Sequence, residues 1–214
     1  MAVSIKICGL NSEEAIRAVI KAEADYAGFI YFPKSPRHIT IERATELKAL
    51  LPSTIKSVSV LVNPDDALLE QIHLHMQPDY IQLHGSESVE RIREIRRRFP
   101  NFRIIKAVSV SSKDDIKSAR VFEGEVDMLM YDAKPPADAK LPGGNGISFD
   151  WKLLKGHTSG SPWFLSGGLT PKNVAEAIQT SGTILVDVSS GVESAPGVKD
   201  PALIAAFVKA ANEA

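Results

Sequence analysis

Val3-Ser4-Ile5-Lys6-Ile7-Cys8-Gly9-Leu10-Asn11-Ser12-Glu13-Glu14 is the stretch that decides the fold. Its first half is a short run rich in Val and Ile, and its second half offers capping side chains followed by acidic residues. A strand, a tight turn and a helix are expected in succession. A doubly wound dinucleotide-binding sheet would normally place G-x-G-x-x-G in that turn. Here the turn is Cys8-Gly9-Leu10-Asn11-Ser12, so the open sheet loses ground to a closed barrel.

Outward from this unit, short Val/Ile/Leu-rich runs alternate with longer amphipathic stretches, the pattern of repeated βα units and a parallel sheet. Eight strands are expected, at Val3–Cys8, Tyr26–Tyr31, Ile55–Val62, Tyr80–His84, Arg103–Ala107, Asp127–Asp132, Trp163–Ser166 and Ile184–Val188. With right-handed crossovers these close into a single-domain (β/α)8 TIM barrel of the α/β class. Asn11, with Glu14 completing a capping box, is expected to start the first helix and Thr40 the second. Thr170-Pro171 and Asp200-Pro201 each set a capping oxygen before a proline at the first helical position. The least regular stretch, Lys134–Gly146 between strand six and the next helix, is either a plain surface connection or a cover over the active face.

The chain has 214 residues, 44% hydrophobic and 24% charged, enough to bury a substantial core. A formal net charge of −1 supplies no positive field for nucleic acid or an anionic membrane. The arginines between Arg91 and Arg98 alternate with Val89, Ile92, Ile95 and Phe99 at helical spacing and are expected on a solvated face. A single cysteine cannot close an intramolecular disulfide, no signal peptide precedes the first strand, and no apolar run approaches the ~18–20 residues that cross a bilayer. A cytoplasmic protein is expected, monomeric or homodimeric.

In a barrel the βα loops share one face, so the residues that end strands carry the chemistry. Ser166-Gly167-Gly168 after strand seven, and Asp187 through Ser190, Gly191 and Glu193 after strand eight, suit a phosphate: glycine turns let backbone N–H groups approach an anion, and a short helix near Ser190 adds its dipole. Asp187, Ser190, Gly167, Gly168 and Gly191 are therefore the expected substrate-binding set in this half. Cys8 at the end of strand one is either an inert buried thiol or a reactive one. Asp132 follows the apolar run Met128–Tyr131, where a carboxylate is either desolvated or paired, and a general acid needs the first. Arg37, stiffened by Pro36, can hold a carboxylate through two parallel hydrogen bonds or form a surface ion pair. His84 ends strand four and is either a structural hydrogen-bonder or a substrate contact. His73 and His75 point to different sides of their helix, and no cluster has the spacing of metal ligands.

Taken together, the motifs resemble the phosphoribosylanthranilate isomerase family of the tryptophan pathway. They are KICGL from Lys6, GFIYFPKSPRHI from Gly28, DYIQLHG from Asp79, Tyr131-Asp132-Ala133, GGNGISFDW from Gly143, LSGGLTPKNV from Leu165 and VDVSSGVESAPGVKD from Val186. The resemblance implies an Amadori rearrangement of a phosphosugar-anthranilate substrate without metal or organic cofactor. It places the general base on Cys8, the general acid on Asp132, the anthranilate carboxylate on Arg37 and the phosphate on Gly167, Gly168 and Gly191. Asn145 stands where the family commonly has threonine, and Tyr131 precedes the aspartate. The nearest rival is the histidine-pathway aminoaldose isomerase, which resembles two half-barrels with an aspartate on strand one. Here strand one ends in Cys8, and Val62-Asn63-Pro64 after strand three has no glycine pair to mirror Gly167-Gly168. The same residues leave room for a dual-specificity isomerase and for a non-catalytic phosphosugar-binding barrel.

Overall fold

The computed structural model describes residues 3–136, 143, 144 and 146–214. Eight parallel strands close in chain order: β1 (Ser4–Cys8), β2 (Tyr26–Tyr31), β3 (Lys56–Leu61), β4 (Tyr80–Leu83), β5 (Arg103–Val110), β6 (Met128–Ala133), β7 (Trp163–Leu165) and β8 (Leu185–Val188). β8 returns beside β1, with Val186 opposite Ile5 and Asp187 opposite Lys6. A barrel of this kind has no edge strand to protect. A short antiparallel hairpin, β9 (Glu193–Ala195) and β10 (Val198–Lys199), follows β8.

Alternation along each strand sorts side chains into two cores. Ile5, Ile7, Phe29, Leu61, Ile81, Leu83, Val186 and Val188 pack outward with the helices. Cys8, Val58, Val60, Tyr80, Ile105, Ala107, Met130, Phe164 and Leu185 fill the barrel interior. Lys6 lies two residues before Cys8 and faces the same way, so an ammonium group is enclosed in the barrel.

Among the described residues the α-helices are α1 (Glu13–Lys21), α2 (Ile41–Lys48), α3 (Asp66–Gln71), α4 (Val89–Arg98), α5 (Lys113–Ser118), α6 (Val174–Ser181) and α7 (Pro201–Asn212). Thr40 and Asp200 cap α2 and α7 as expected. Asn11 does not cap α1: Ser12 accepts from Ala15 N, while the Asn11 amide donates to the Gly197 carbonyl in the β9–β10 hairpin. α6 begins at Val174, three residues beyond Pro171, because Thr170 N donates to the Asn173 side chain and the chain turns once more before it coils. Between β6 and β7 the described residues hold only the 3-10 turn Trp151–Leu154, which stops at Gly156 with φ +71°. β5 runs on past Ala107 because Val108, Ser109 and Val110 continue to pair with Tyr131, Asp132 and Ala133.

The arginines of α4 point away from buried Ile92 and Ile95, but they are not simply solvated. Arg91 and Arg98 reach Asp66, Arg93 reaches Glu125, and Arg96 reaches Asp127, tying α4 to its neighbours by surface pairs that are individually weak. His73 sits in a single π-helical turn, Ile72–Met76, against the rings of Phe99 and Phe102. No described helix is long and apolar enough to cross a membrane. Most of the Lys134–Gly146 stretch, including Asn145, lies outside the described residues.

Candidate active site

Cys8 lines a cavity at the C-terminal mouth of the barrel, together with Arg37, His84, Asp132, Gly167, Gly168, Asp187 and Ser190. The thiol has room because its neighbour on β2 is Gly28, where a methyl would lie 3.0 Å from the sulfur. Burial pushes the Cys8 thiol up, and Asp187 adds to this, while Lys6 and Lys199 pull it down. Burial thus disfavours the thiolate, and two ammonium groups oppose that effect.

Asp132 is desolvated, being buried at the end of β6, and is hydrogen-bonded there without a lysine or arginine partner among the described residues. Its Oδ1 accepts from Ala133 N at 2.9 Å, and its Oδ2 lies 3.1 Å from His84 Nε2. Gln82 Nε2 lies 2.8 Å from His84 Nδ1, so Gln82, His84 and Asp132 form one hydrogen-bonded chain whose proton positions follow the histidine tautomer. His84 therefore touches Asp132 and also lines the cavity. Its loop is held from behind: Lys106 Nζ donates to Glu87 and to the Gly85 carbonyl, each at 2.8 Å, and Glu87 accepts from Asn63 N and Gly85 N. A methyl at Gly143 would lie 2.7 Å from His84 Nε2 and 2.8 Å from Asp132 Oδ2, so this glycine sits directly on the pair.

Arg37 makes the expected double hydrogen bond, but to Glu193: Nε to Oε1 at 2.7 Å and Nη2 to Oε2 at 2.9 Å. Nη2 also donates to the Gly144 carbonyl at 3.3 Å. A second cation, Lys199, donates to the same Glu193 Oε1 at 2.7 Å. Burial would raise the Glu193 carboxyl, yet these two cations outweigh it and hold it below the usual carboxylate range. The Nε edge of Arg37 is thus occupied by Glu193, and Gly144 stands against its Nη1 side.

Gly167 and Gly168 have φ +89° and +64° and pack on the backbone of Ala133 and Ile147. Asn173 clamps their turn by donating to the Gly168 carbonyl at 3.0 Å. Gly191 lies against the Leu169 carbonyl, with no space for a side chain. Ser190 and Gly191 open the 3-10 turn Ser190–Val192, the short helix expected there. Asp187 lines the cavity, but both its oxygens are engaged, Oδ1 by Lys6 at 2.7 Å and Oδ2 by the Ser166 hydroxyl at 2.9 Å. Asp187 is thus the counter-ion of Lys6 inside the barrel as well as part of the cavity wall.

The family model for N-(5'-phosphoribosyl)anthranilate isomerase matches residues 5–210. The chain belongs to this isomerase family. Its relatives include the N-(5'-phosphoribosyl)anthranilate isomerase of Paracoccus denitrificans, 50% identical over 99% of this chain and 98% of that protein. A solved phosphoribosyl anthranilate isomerase in complex with reduced 1-(o-carboxyphenylamino)-1-deoxyribulose 5-phosphate superposes with a TM-score of 0.85 at 34% identity, covering 99% of this chain and all of that one. Monomers generated from the dimeric Thermotoga maritima isomerase give 0.84 at 35% identity, with 99% of this chain and all of that one covered.

Within the isomerase fold, Lys6, Gln82, Glu193, Lys199, Asn173 and Gly28 also shape the site; all six lie inside the motifs quoted above, yet the sequence reading gives none of them a role. Glu193 and Lys199 sit in a polar, glycine-containing turn and look like surface charges. A lysine between Ile5 and Ile7 is the one legible signal, because strand alternation puts it on the same face as Cys8.

Proposed function

We propose that this chain converts N-(5-phosphoribosyl)anthranilate to 1-(2-carboxyphenylamino)-1-deoxyribulose 5-phosphate, with Cys8 as general base and Asp132 as general acid. The observation that carries this is geometric: strand ends β1 and β6 deliver a thiol and a carboxyl to one cavity, with Arg37, Gly167, Gly168 and Ser190 also on its lining. The ligand bound to the solved relative, with its aryl carboxylate, amine and phosphate, supports the substrate class. Arg37 would meet the carboxylate, and Gly167, Gly168, Ser190 and Gly191 the phosphate. Neither step needs a metal or an organic cofactor, and we place the reaction in the cytoplasm.

Asp132 gives its proton to the ribose ring oxygen as the C1–O bond breaks and the nitrogen lone pair forms a protonated Schiff base. The cationic nitrogen acidifies the proton on C2. Cys8, as thiolate, takes that proton, and the C–H electrons form the C1–C2 double bond of an enolamine. Return of a proton to C1 from the thiol, with loss of the C2 hydroxyl proton to Asp132, yields the ketone and restores both side chains.

Purified protein mixed with freshly made phosphoribosylanthranilate should abolish its fluorescence. Absence of turnover would defeat the proposal, whereas turnover of the histidine-pathway substrate as well would mark a dual-specificity enzyme.

A further inference from the structure

A carbon-acid base must be a thiolate at the moment it acts, yet Cys8 is buried, and burial favours the neutral thiol. The groups around it account for the difficulty and for its solution. Lys6 on β1 shares the inward face with Cys8 and has a side chain that is 0% exposed, paired to Asp187 of β8 at 2.7 Å. Lys199 on β10, likewise 0% exposed, pairs with Glu193 at 2.7 Å and donates to the Ser189 carbonyl at 2.9 Å. The Ser189 hydroxyl in turn donates to the Cys8 carbonyl at 3.1 Å. β2 and β3 present only Ile30 and Val60 to the cavity, with Asp132 contributed by β6 and His84 by the position after β4.

A buried ion pair is a poor way to stabilise a fold, since apolar residues of similar volume fill the same space without desolvating a charge. A lysine enclosed by a barrel therefore calls for another reason. Lys6 is paired with Asp187, while Lys199 shares Glu193 with Arg37, so Lys199 has only part of a carboxylate to offset its charge.

We propose that Lys6 and Lys199 are positioning residues whose buried ammonium groups hold Cys8 as the thiolate that removes the substrate proton. The inference rests on Cys8 being the base, but its first test does not. Asp187 acts in the opposite sense: it fixes Lys6 in place and tempers its field.

Cys8 is the only cysteine in the chain, so the ultraviolet absorbance of the thiolate, with Cys8→Ser as the blank for tyrosine, reports this one group. In the intact protein, Lys199→Met and Lys6→Met should each move the thiolate midpoint to a pH higher by about 1–3, the usual effect of one adjacent opposite charge. Lys199→Arg should keep the midpoint near that of the unmodified protein. Asp187→Asn should move it the other way, which guards against a Lys6 variant that does not fold. Unchanged midpoints in Lys199→Met and Asp187→Asn would overturn the proposal whatever the activity. The alkaline rise of kcat/KM should follow the spectroscopic midpoint through the series. If the midpoint moves and the rate profile stays, Cys8 is not the base, and the field has no catalytic use.

Discussion

Arg37 and Glu193 lie 156 residues apart and meet through two parallel hydrogen bonds, Nε to Oε1 at 2.7 Å and Nη2 to Oε2 at 2.9 Å. The pair fixes the guanidinium in the cavity wall, so the arginine is set before a ligand arrives and loses little freedom on binding. Arg37→Ala should raise KM by ~10-fold or more and lower kcat far less, because bonds to the aryl carboxylate exist before the transition state. Glu193→Gln, which keeps one acceptor, should give a smaller rise in the same direction. Steady-state kinetics checks both, and a fall confined to kcat would remove Arg37 from substrate binding.

Cys8 and Asp132 are assigned the proton transfers, and each is worth a defined factor. Cys8→Ala and Asp132→Asn should each lower kcat by about 10²–10⁴-fold. Thermal unfolding should shift little in Cys8→Ala, which removes one small buried group. A Cys8→Ala enzyme with near-normal kcat would leave the isomerase reading standing and the base unassigned.

The strand ends were legible because period-two alternation and the stop of each apolar run are local signals, and Cys8 and Asp132 sit on them. Arg37 was legible as a carboxylate binder, but its partner was not, since Glu193 reaches it only when β8 closes beside β1 and carries the β9–β10 hairpin over loop two. The same closure turns Asp187 from a strand-end carboxylate into the counter-ion of Lys6, a pairing across 181 residues that no spacing rule encodes. Asn11 and Ser12 are both competent caps, and the choice fell to Ser12 because the Asn11 amide is drawn to Gly197. Where a helix is expected between β6 and β7, the described residues hold a 3-10 turn capped by Asp150 and stopped at Gly156.

Glu193 also gives the fold an acid limit. Its carboxyl is held below the ordinary range: burial would raise it, but Arg37 and Lys199 outweigh that. A carboxylate depressed in the folded state contributes stability above its unfolded value, about 4.3, and loses it as pH falls through the folded value. Urea midpoints should therefore fall on acidification from about pH 5 downward, and Glu193→Gln should fall less steeply from a lower starting point. Other depressed carboxylates such as Asp79 and Asp115 share this limb, so the difference between the two curves isolates Glu193. Parallel curves would show that the pair does not couple folding to protons.

Two glycines separate chemistry from anchoring. A methyl at Gly143 would press on His84 Nε2 and Asp132 Oδ2, while one at Gly191 would strike the Leu169 carbonyl beside the phosphate turn. Overpacking of this kind typically costs about 1–3 kcal/mol, relieved by moving whichever neighbour yields. At Gly143 the yielding groups are the acid and its histidine, so Gly143→Ala should lower kcat by at least ~10-fold, the loss expected when a general acid is displaced from hydrogen-bond reach. At Gly191 the turn itself must shift, so Gly191→Ala should raise KM and weaken inhibition by inorganic phosphate, with kcat less affected. Equal effects of both substitutions on kcat and KM would mean that the two subsites are not separable as this geometry requires.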